Sequence, residues 1–237
     1  GSSAPYAEEN VPLNPRHHLP VSVDGVKDGD FTMVFGFPGS TDRYLSSYGV
    51  QQAIDKYNPT TVEIRDLKLA TMRTFMDADD ATRILLASNY AQTANYWKYY
   101  IGQTKGLKRL DVYNQKKDLE NKFASWVSQD PKREAVYGDA LSMIETYYKS
   151  TDATEKGNVY ALEAGLIGAD ITLFAFRFSR TFGAAMKQEG AEAQAGVLGG
   201  FSERADGFYK DYDMATDRDI LTELLKMYKQ NIPADQL

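Results

Sequence analysis

The sequence changes character at residue 40, and this boundary constrains the fold more than any other feature. Before it, residues 1–20 contain four prolines, which predict an extended backbone without a regular helix. Two strands are predicted next, at Leu19–Val23 and at Phe31–Phe37, where the odd-numbered positions alternate onto one apolar face. Two strands cannot form a stable sheet alone. Residues 1–39 are therefore predicted to belong to a β domain that lies mostly outside this chain.

From residue 40 to residue 237 the apolar residues recur at helical spacing. Ser40 or Thr41 is predicted to cap a helix to about Tyr57, and Asn58, with Pro59 after it, to cap the next. One further helix is predicted to end at Ile101 and to be followed by a turn at 102–106. Five more are predicted at 107–127, 131–149, 155–186, 191–212 and 217–230. Thr216 is predicted to cap the last of them. The predicted fold class is mainly α, an irregular bundle of six or more helices preceded by a short β segment.

Composition removes several classes of function. The net charge is −6 and no window is rich in Lys and Arg, so nucleic acid is not an expected partner. The chain has no cysteine, which excludes disulfides and thiolate metal sites. The most apolar window, Val159 to Phe178, contains Glu163, Asp170 and Arg177, and it predicts a buried helix rather than a membrane span. The first residues have no signal-peptide pattern.

The residues that usually carry catalysis or bind metal show no suitable spacing. His17 and His18 are adjacent in an extended segment and belong to no ligand motif. The carboxylates between Asp77 and Asp80 precede a helix, where acidic side chains favour the N-terminal dipole, so we interpret them as capping residues. No GxSxG motif and no triad pattern is present. We predict no catalytic residue, no metal site and no cofactor in this chain.

Asn95 is the polar residue of most interest. It lies beside an apolar helical stripe, between Gln92 and Tyr99, and its amide carries one acceptor and two donors. The stripe consists of Leu86, Tyr90, Ala94, Trp97 and Ile101. The pattern alone is also typical of an ordinary polar residue on the flank of a helix.

Several separated motifs, in order, together cover essentially the whole chain and resemble one family. They are Ala4-Pro-Tyr-Ala-Glu-Glu-Asn-Val-Pro-Leu13, Gly29-Asp-Phe-Thr-Met-Val-Phe-Gly-Phe-Pro-Gly-Ser-Thr41, Asn95-Tyr-Trp-Lys98, Ile101-Gly-Gln-Thr-Lys-Gly-Leu-Lys-Arg-Leu110 and Tyr212-Asp-Met-Ala-Thr-Asp217. The second motif resembles a late strand of a chymotrypsin-like barrel. The set is similar to serine peptidase family 46, the bacterial dipeptidyl-peptidases of the 7 and 11 types.

The resemblance implies a much longer parent, in which a double β-barrel with a Ser-His-Asp triad is interrupted by a helical domain. Residues 1–39 would be the tail of the barrel and residues 40–237 the helical lid. All three triad residues would lie outside this chain, so the fragment is expected to be inactive alone. The parent would be periplasmic, cell-surface or secreted, and a homodimer and either P1 preference, hydrophobic or acidic, stay open.

The family releases dipeptides from free N-termini, which implies a role for Asn95. A site that counts two residues must block the peptide about 7 Å beyond the scissile bond, because extended residues span roughly 3.3–3.6 Å each. It must also offer acceptors to the substrate ammonium, since a buried unpaired charge is costly. The family uses an asparagine of the helical domain, and the Asn-Tyr-Trp-Lys motif assigns that role to Asn95.

A second hypothesis is a stand-alone helical module that binds peptides or a partner helix through tyrosine-rich faces. The segment from Gly29 to Thr41 separates the two hypotheses. An independent module would carry that apolar strand as an exposed edge prone to aggregation. The segment therefore favours the lid of a peptidase.

Overall fold

The computed structural model describes residues 7–36, 39–187 and 190–236, and the chain divides into two units, Gly1–Asp42 and Arg43–Leu237. In the first unit, residues 7–36 contain no helix and no strand, and two of its turns are closed by backbone hydrogen bonds, from Asn10 to Ala7 and from Asp30 to Lys27. Phe31 and Phe35, predicted to face a core, are 89% and 95% exposed, and Phe37 lies outside the described residues. The predicted β segment is thus not found, because a lone segment has no neighbour for a hydrogen-bond ladder. Its assignment to a barrel stays a prediction.

The second unit is helical throughout its described residues. Its α-helices are α1 (Ser47–Gln52), α2 (Asn58–Ala78), α3 (Asp80–Arg109), α4 (Val112–Ser128), α5 (Pro131–Tyr137), α6 (Ala140–Tyr160), α7 (Asp170–Ala185), α8 (Ala191–Lys210) and α9 (Met214–Asn231). Two π-helical segments, Ala53–Tyr57 and Ala161–Leu166, continue α1 and α6, and a short 3₁₀ turn follows α9. The predicted class, mainly α with six or more helices, is confirmed for this unit.

The start of the first helices differs from the prediction. α1 begins at Ser47 and is capped by Ser46, whose hydroxyl accepts from the Gly49 N–H, rather than by Ser40 or Thr41. Asn58 is not an N-cap, because its backbone is helical and its N–H donates to Ala53 in an i→i−5 bond. Pro59 has no N–H, so the wider π turn carries the chain into α2 without a break. Ser47 is buried and donates to Glu120 of α4.

Helix α3 runs through the predicted turn at 102–106. It continues to Arg109, and the chain turns only at Asp111, which has a φ of 52°. A side chain at Gly102 or Gly106 would meet no other atom within 4 Å, so neither glycine is required by a close contact. Glycine lowers helix propensity without forbidding the helix, and packing of α3 against α2 determines the outcome.

The predicted helices 131–149 and 155–186 are divided differently. The chain breaks at Gly138 and Asp139, and α6 then continues without interruption to Tyr160. After the π segment the chain bends by 92° into α7. Gly168 lies at that bend, and a Cβ there would come within 2.5 Å of a Leu224 methyl and of the Ala164 carbonyl. The bend therefore requires a residue without a side chain at position 168.

The last helix also differs in its cap. Asp213, rather than Thr216, caps α9 by accepting from the Thr216 N–H at 2.7 Å. Within the described residues, no single helix is long and apolar enough to cross a membrane; only the bent pair Pro131–Leu166 and Asp170–Ala185, taken together, meets the length and composition required.

Helix α2 is the centre of the second unit, packing against α3, α6 and α9. The core cluster consists of Ile64, Met72, Met76, Leu86, Val159, Tyr160, Ala164, Ile220, Leu224 and Ile232. The centre of the bundle also buries polar groups of α2, since Asn58 is 1% exposed and donates to Gln103 and Thr104 of α3. Asn58 therefore links α2 to α3 through its amide instead of capping one of them.

Substitution of two glycines tests this architecture. Gly102→Ala should raise the free energy of unfolding by about 0.5–1 kcal/mol, because alanine loses less backbone entropy in a helix interior. Gly168→Ala should lower it by about 1–3 kcal/mol, because the added methyl group meets backbone and a packed leucine. Urea denaturation measures both. A loss of stability with Gly102→Ala would show that the chain turns at residue 102 after all.

Candidate functional site

Asn95 lies on the outer side of α3, and its side chain is exposed. The stripe beside it faces the protein: Leu86 is buried, and Tyr90, Ala94, Trp97 and Ile101 are half-buried. Among the described residues none hydrogen-bonds to the Asn95 amide, so both its acceptor and its donors face outward. The predicted position beside the apolar stripe is confirmed, and the assignment of Asn95 to substrate binding stays a prediction.

A polar cleft opens next to this helix, on the side formed by the neighbouring residues of α3. It has a volume of about 330 Å³ and lies between α2, α3 and the bend before α7. Its polar walls carry both signs of charge and several amide or hydroxyl groups: Arg65, Lys68, Asn89, Gln92, Thr93, Glu163 and Asp170. Asn95 does not line it. Sequence analysis missed this cleft.

A buried ion pair closes the floor of the cleft. Arg65 of α2 donates from Nη2 to Oε1 of Glu163 at 3.1 Å, and its Nε lies 2.9 Å from Oε2 without hydrogen-bond alignment. The side chains of Arg65 and Glu163 are 15% and 5% exposed. The guanidinium also lies 5.4 Å from the centre of the Tyr96 ring. A charge pair this buried is fixed in place, because each partner would be costly without the other.

Lys68 stands between two carboxylates at the inner end of the cleft. Burial lowers the pKa of Lys68, and the nearby Asp170 and Asp217 oppose that shift. Burial likewise raises the pKa of Asp170, against the attraction of Lys68. Asn89 of α3 donates to Asp170 at 2.9 Å. Charge attraction between Lys68 and the carboxylate of Asp170 thus opposes the effect of burial on both groups without reversing it.

Asp217 joins α9 to the start of α7. Its carboxylate, in a residue 5% exposed, accepts from the backbone N–H groups of Asp170 at 2.7 Å and Ile171 at 3.0 Å. It also accepts from the Tyr212 hydroxyl at 3.0 Å. Burial and the bond to Asp217 raise the pKa of Tyr212. The orphan N–H groups at the start of α7 are therefore satisfied by a residue 46–47 positions away.

The histidines and the acidic run between Asp77 and Asp80 were also singled out in the sequence. His17 and His18 are exposed in the first unit. Asp79 caps α3, accepting from the Thr82 N–H at 2.7 Å, so the interpretation of that acidic run as a cap is confirmed. Across residues 7–36, 39–187 and 190–236, no three side chains of the metal-binding types converge. The cleft does bring together Lys68, Asn89, Glu163 and Asp170, which are far apart in sequence.

Comparisons with known proteins place the chain in a family. A family model described as Peptidase S46 matches residues 1–237. Dipeptidyl-peptidase 7 of Porphyromonas gingivalis is 40% identical over 234 residues, covering 99% of this chain and 31% of that protein. The Asp/Glu-specific dipeptidyl-peptidase of Flavobacterium psychrophilum is 32% identical, covering 99% of this chain and 32% of its own length. The chain therefore belongs to the S46 peptidase family.

A solved structure has the same fold. The crystal structure of Porphyromonas endodontalis DPP11 in complex with the dipeptide Arg-Glu aligns with a TM-score of 0.65 at 24% identity. The alignment covers 98% of this chain and 33% of that one. The chain thus spans about a third of the length of the relatives it matches. The family predicted from the separated motifs is confirmed.

The Arg65–Glu163 pair gives a stability prediction. Arg65→Met or Glu163→Met alone should each lower the free energy of unfolding by about 3–5 kcal/mol, because a buried charge is left unpaired. The double variant should recover most of that loss. Urea denaturation of the four proteins measures the coupling energy.

The exposed pair Lys226–Glu223 supplies the control, with side chains 60% and 44% exposed. Lys226→Met should cost less than about 1 kcal/mol. If Arg65→Met lowers the free energy of unfolding by no more than Lys226→Met does, the buried pair is not required for the stability of the second unit.

Proposed function

We propose that this chain is the helical lid of a serine dipeptidyl-peptidase, which removes dipeptides from the free N-termini of peptides. The observation that carries the proposal is the S46 match across residues 1–237, in a chain that spans about a third of its relatives. A lid needs no catalytic group of its own. Its tasks are to cover the cleft of the parent and to bind the N-terminus of the substrate.

A peptide with a free N-terminus is the proposed substrate class. The P. endodontalis DPP11 structure contains the dipeptide Arg-Glu, which supports binding of short peptides by proteins of this fold. The relatives include enzymes named as Asp/Glu-specific and others named dipeptidyl-peptidase 7. The P1 preference of this parent is set outside the chain under this proposal. The proposed parent is periplasmic, cell-surface or secreted.

Asn95 is the proposed acceptor for the substrate ammonium. Three features support it: the amide is exposed, it lies on the long α3 helix, and α3 is fixed by packing against α2. A rigid helix holds a recognition group at a constant distance from the reacting bond, as counting two residues requires. The alternative, a stand-alone interaction module, is less well supported because the family match includes residues 1–42.

In the full-length parent, Asn95→Ala should lower kcat/KM for dipeptidyl substrates. The decrease should correspond to a loss of about 1–3 kcal/mol in transition-state stabilisation, because a hydrogen bond to a charged group is removed. The melting temperature should be nearly unchanged, because the side chain is exposed. Asn95→Asp keeps an acceptor and should retain more activity than Asn95→Ala. Steady-state kinetics and thermal melts measure these effects.

The matched control is Asn121→Ala, which removes another exposed helical amide, on α4. Its kcat/KM should equal that of the parent. Equal activity of Asn95→Ala and Asn121→Ala would refute the role of Asn95, and so would a loss of activity that follows a loss of folded protein.

The isolated 237-residue chain should show no hydrolysis of dipeptidyl-coumarin substrates, because the proposal places the nucleophile elsewhere in the parent. Fluorescence release at high protein concentration is the measurement, with the full-length parent as the positive control. Turnover by the isolated chain that scales with its concentration would sink the proposal that it is only a lid.

A further inference from the structure

Helices α7 and α8 form a hairpin that we call the arm, residues 170–187 and 190–210. The two helices pack on each other through aromatic rings: Phe174 stacks on Phe208 with centroids 4.3 Å apart, and the ring centroids of Phe178 and Phe201 are 3.9 Å apart. These pairs run in opposite directions along the two helices, so the helices are antiparallel. The arm therefore has an apolar interior of its own.

The apolar core of the second unit does not extend into the arm. Among the described residues, the core cluster draws its members from α2, α3, α6, its π segment, α9 and Ile232, and none lies on α7 or α8. The arm and the core thus form two separate apolar interiors. A change in the angle between them would leave both interiors intact, and the apolar contacts it disturbs are those of the hinge itself, where Ala169 is buried and Gly168 lies against Leu224.

Polar contacts instead attach the root of the arm. Asp217 of α9 accepts from the N–H groups of Asp170 and Ile171, and Asn89 of α3 donates to the Asp170 carboxylate. Tyr212, in the segment that follows the arm, donates to the same Asp217 carboxylate. Water can replace each of these partners once the contact opens, so the attachment is reversible.

The connections into and out of the arm are short. The chain enters through Ile167–Ala169, at the 92° bend, and leaves through Asp211–Asp213. The cleft of about 330 Å³ separates Leu173 and Asp170 of the arm from Gln92 and Thr93 of α3. Open space therefore lies between the first turn of the arm and part of α3.

We propose that the arm rotates as one unit about two hinge segments, Ile167–Ala169 and Asp211–Asp213. The hydrogen bonds of the Asp217 carboxylate hold the arm in the position described above. The inference concerns the chain itself and stands apart from the proposed peptidase role. Asp217 is suited to the task because one carboxylate binds both connections of the hinge, the entry through Asp170 and Ile171 and the exit through Tyr212.

Distances between spin labels test the swing in the full 237-residue chain. The chain has no cysteine, so Ser88→Cys on α3 and Arg180→Cys on α7, both exposed, can be labelled selectively. With Asp217 intact, one distance should dominate. Asp217→Asn puts an amide donor against backbone N–H groups and should raise the population of a second distance about tenfold or more.

Control measurements and a second variant make the result decisive. Labels at Arg180→Cys and Glu203→Cys, both within the arm, should give one distance whether Asp217 is intact or replaced by Asn. Amide exchange in α8 should be the same in both proteins, because the arm moves as a folded unit. Asp79→Asn makes the same chemical change at the cap of α3, away from the arm, and should leave the arm distance unchanged. Tyr212→Phe should give a smaller shift than Asp217→Asn, and it carries the test if Asp217→Asn does not fold.

Two results would overturn the proposal. One is a single distance between residues 88 and 180 that is identical in the wild type, Asp217→Asn and Tyr212→Phe. The other is a broadened distance accompanied by rapid amide exchange across α8, which would mean that the arm unfolds rather than swings.

Discussion

The buried pair of Arg65 and Glu163 is the interaction on which the second unit depends. It joins the central helix α2 to the π segment that leads into the bend before α7. Removal of two charges from water is expensive, and their attraction only repays that cost when the geometry is good. The pair therefore contributes more to position than to net stability: it permits one placement of the π segment against α2 and penalises the others.

The polar groups around that pair also determine how the elements are positioned. Lys68, one turn along α2 from Arg65, faces Asp170, and Asp217 holds the start of α7 from α9. The apolar core positions α2, α3, α6 and α9 without direction, through area alone. The charged and hydrogen-bonded groups add direction at the 92° bend before α7. Under the proposed lid role, such a joint would hold its position firmly and still open when water replaces its hydrogen bonds.

The existence of the helices could be predicted from periodicity, and their ends could not. The predicted turn at 102–106 relied on two glycines, and the predicted break at Asn58 relied on a proline after a capping residue. In both places tertiary packing decided the outcome, through the contact of α3 with α2 and through the burial of the Asn58 amide between them. The segment 7–36 shows the opposite case, since a strand pattern specifies no strand without a partner.

The candidate site divides in the same way. Asn95 could be singled out because a short local motif resembles a family, and its exposed position follows from its place on the helix. The cleft could not be predicted, because Glu163, Asp170 and Asp217 each have an ordinary local explanation in the sequence. The bend at Gly168 places Asp170 near Lys68, and the packing of α9 against α2 does the same for Asp217. Gly168 is in close contact with Leu224, which no local pattern records.

The π segment at Ala53–Tyr57 amounts to one extra residue inserted into an otherwise continuous helix. Each residue of an α-helix turns the chain by about 100° and advances it by about 1.5 Å. Deletion of one residue there would restore the regular hydrogen bonds and rotate everything on the N-terminal side by that angle. Ser47 and Val50 would leave their buried positions, and the hydrogen bonds of Ser47 to Glu120 would be lost. Length in this segment is thus as constrained as composition, and homologous chains should tolerate substitutions there far better than gaps.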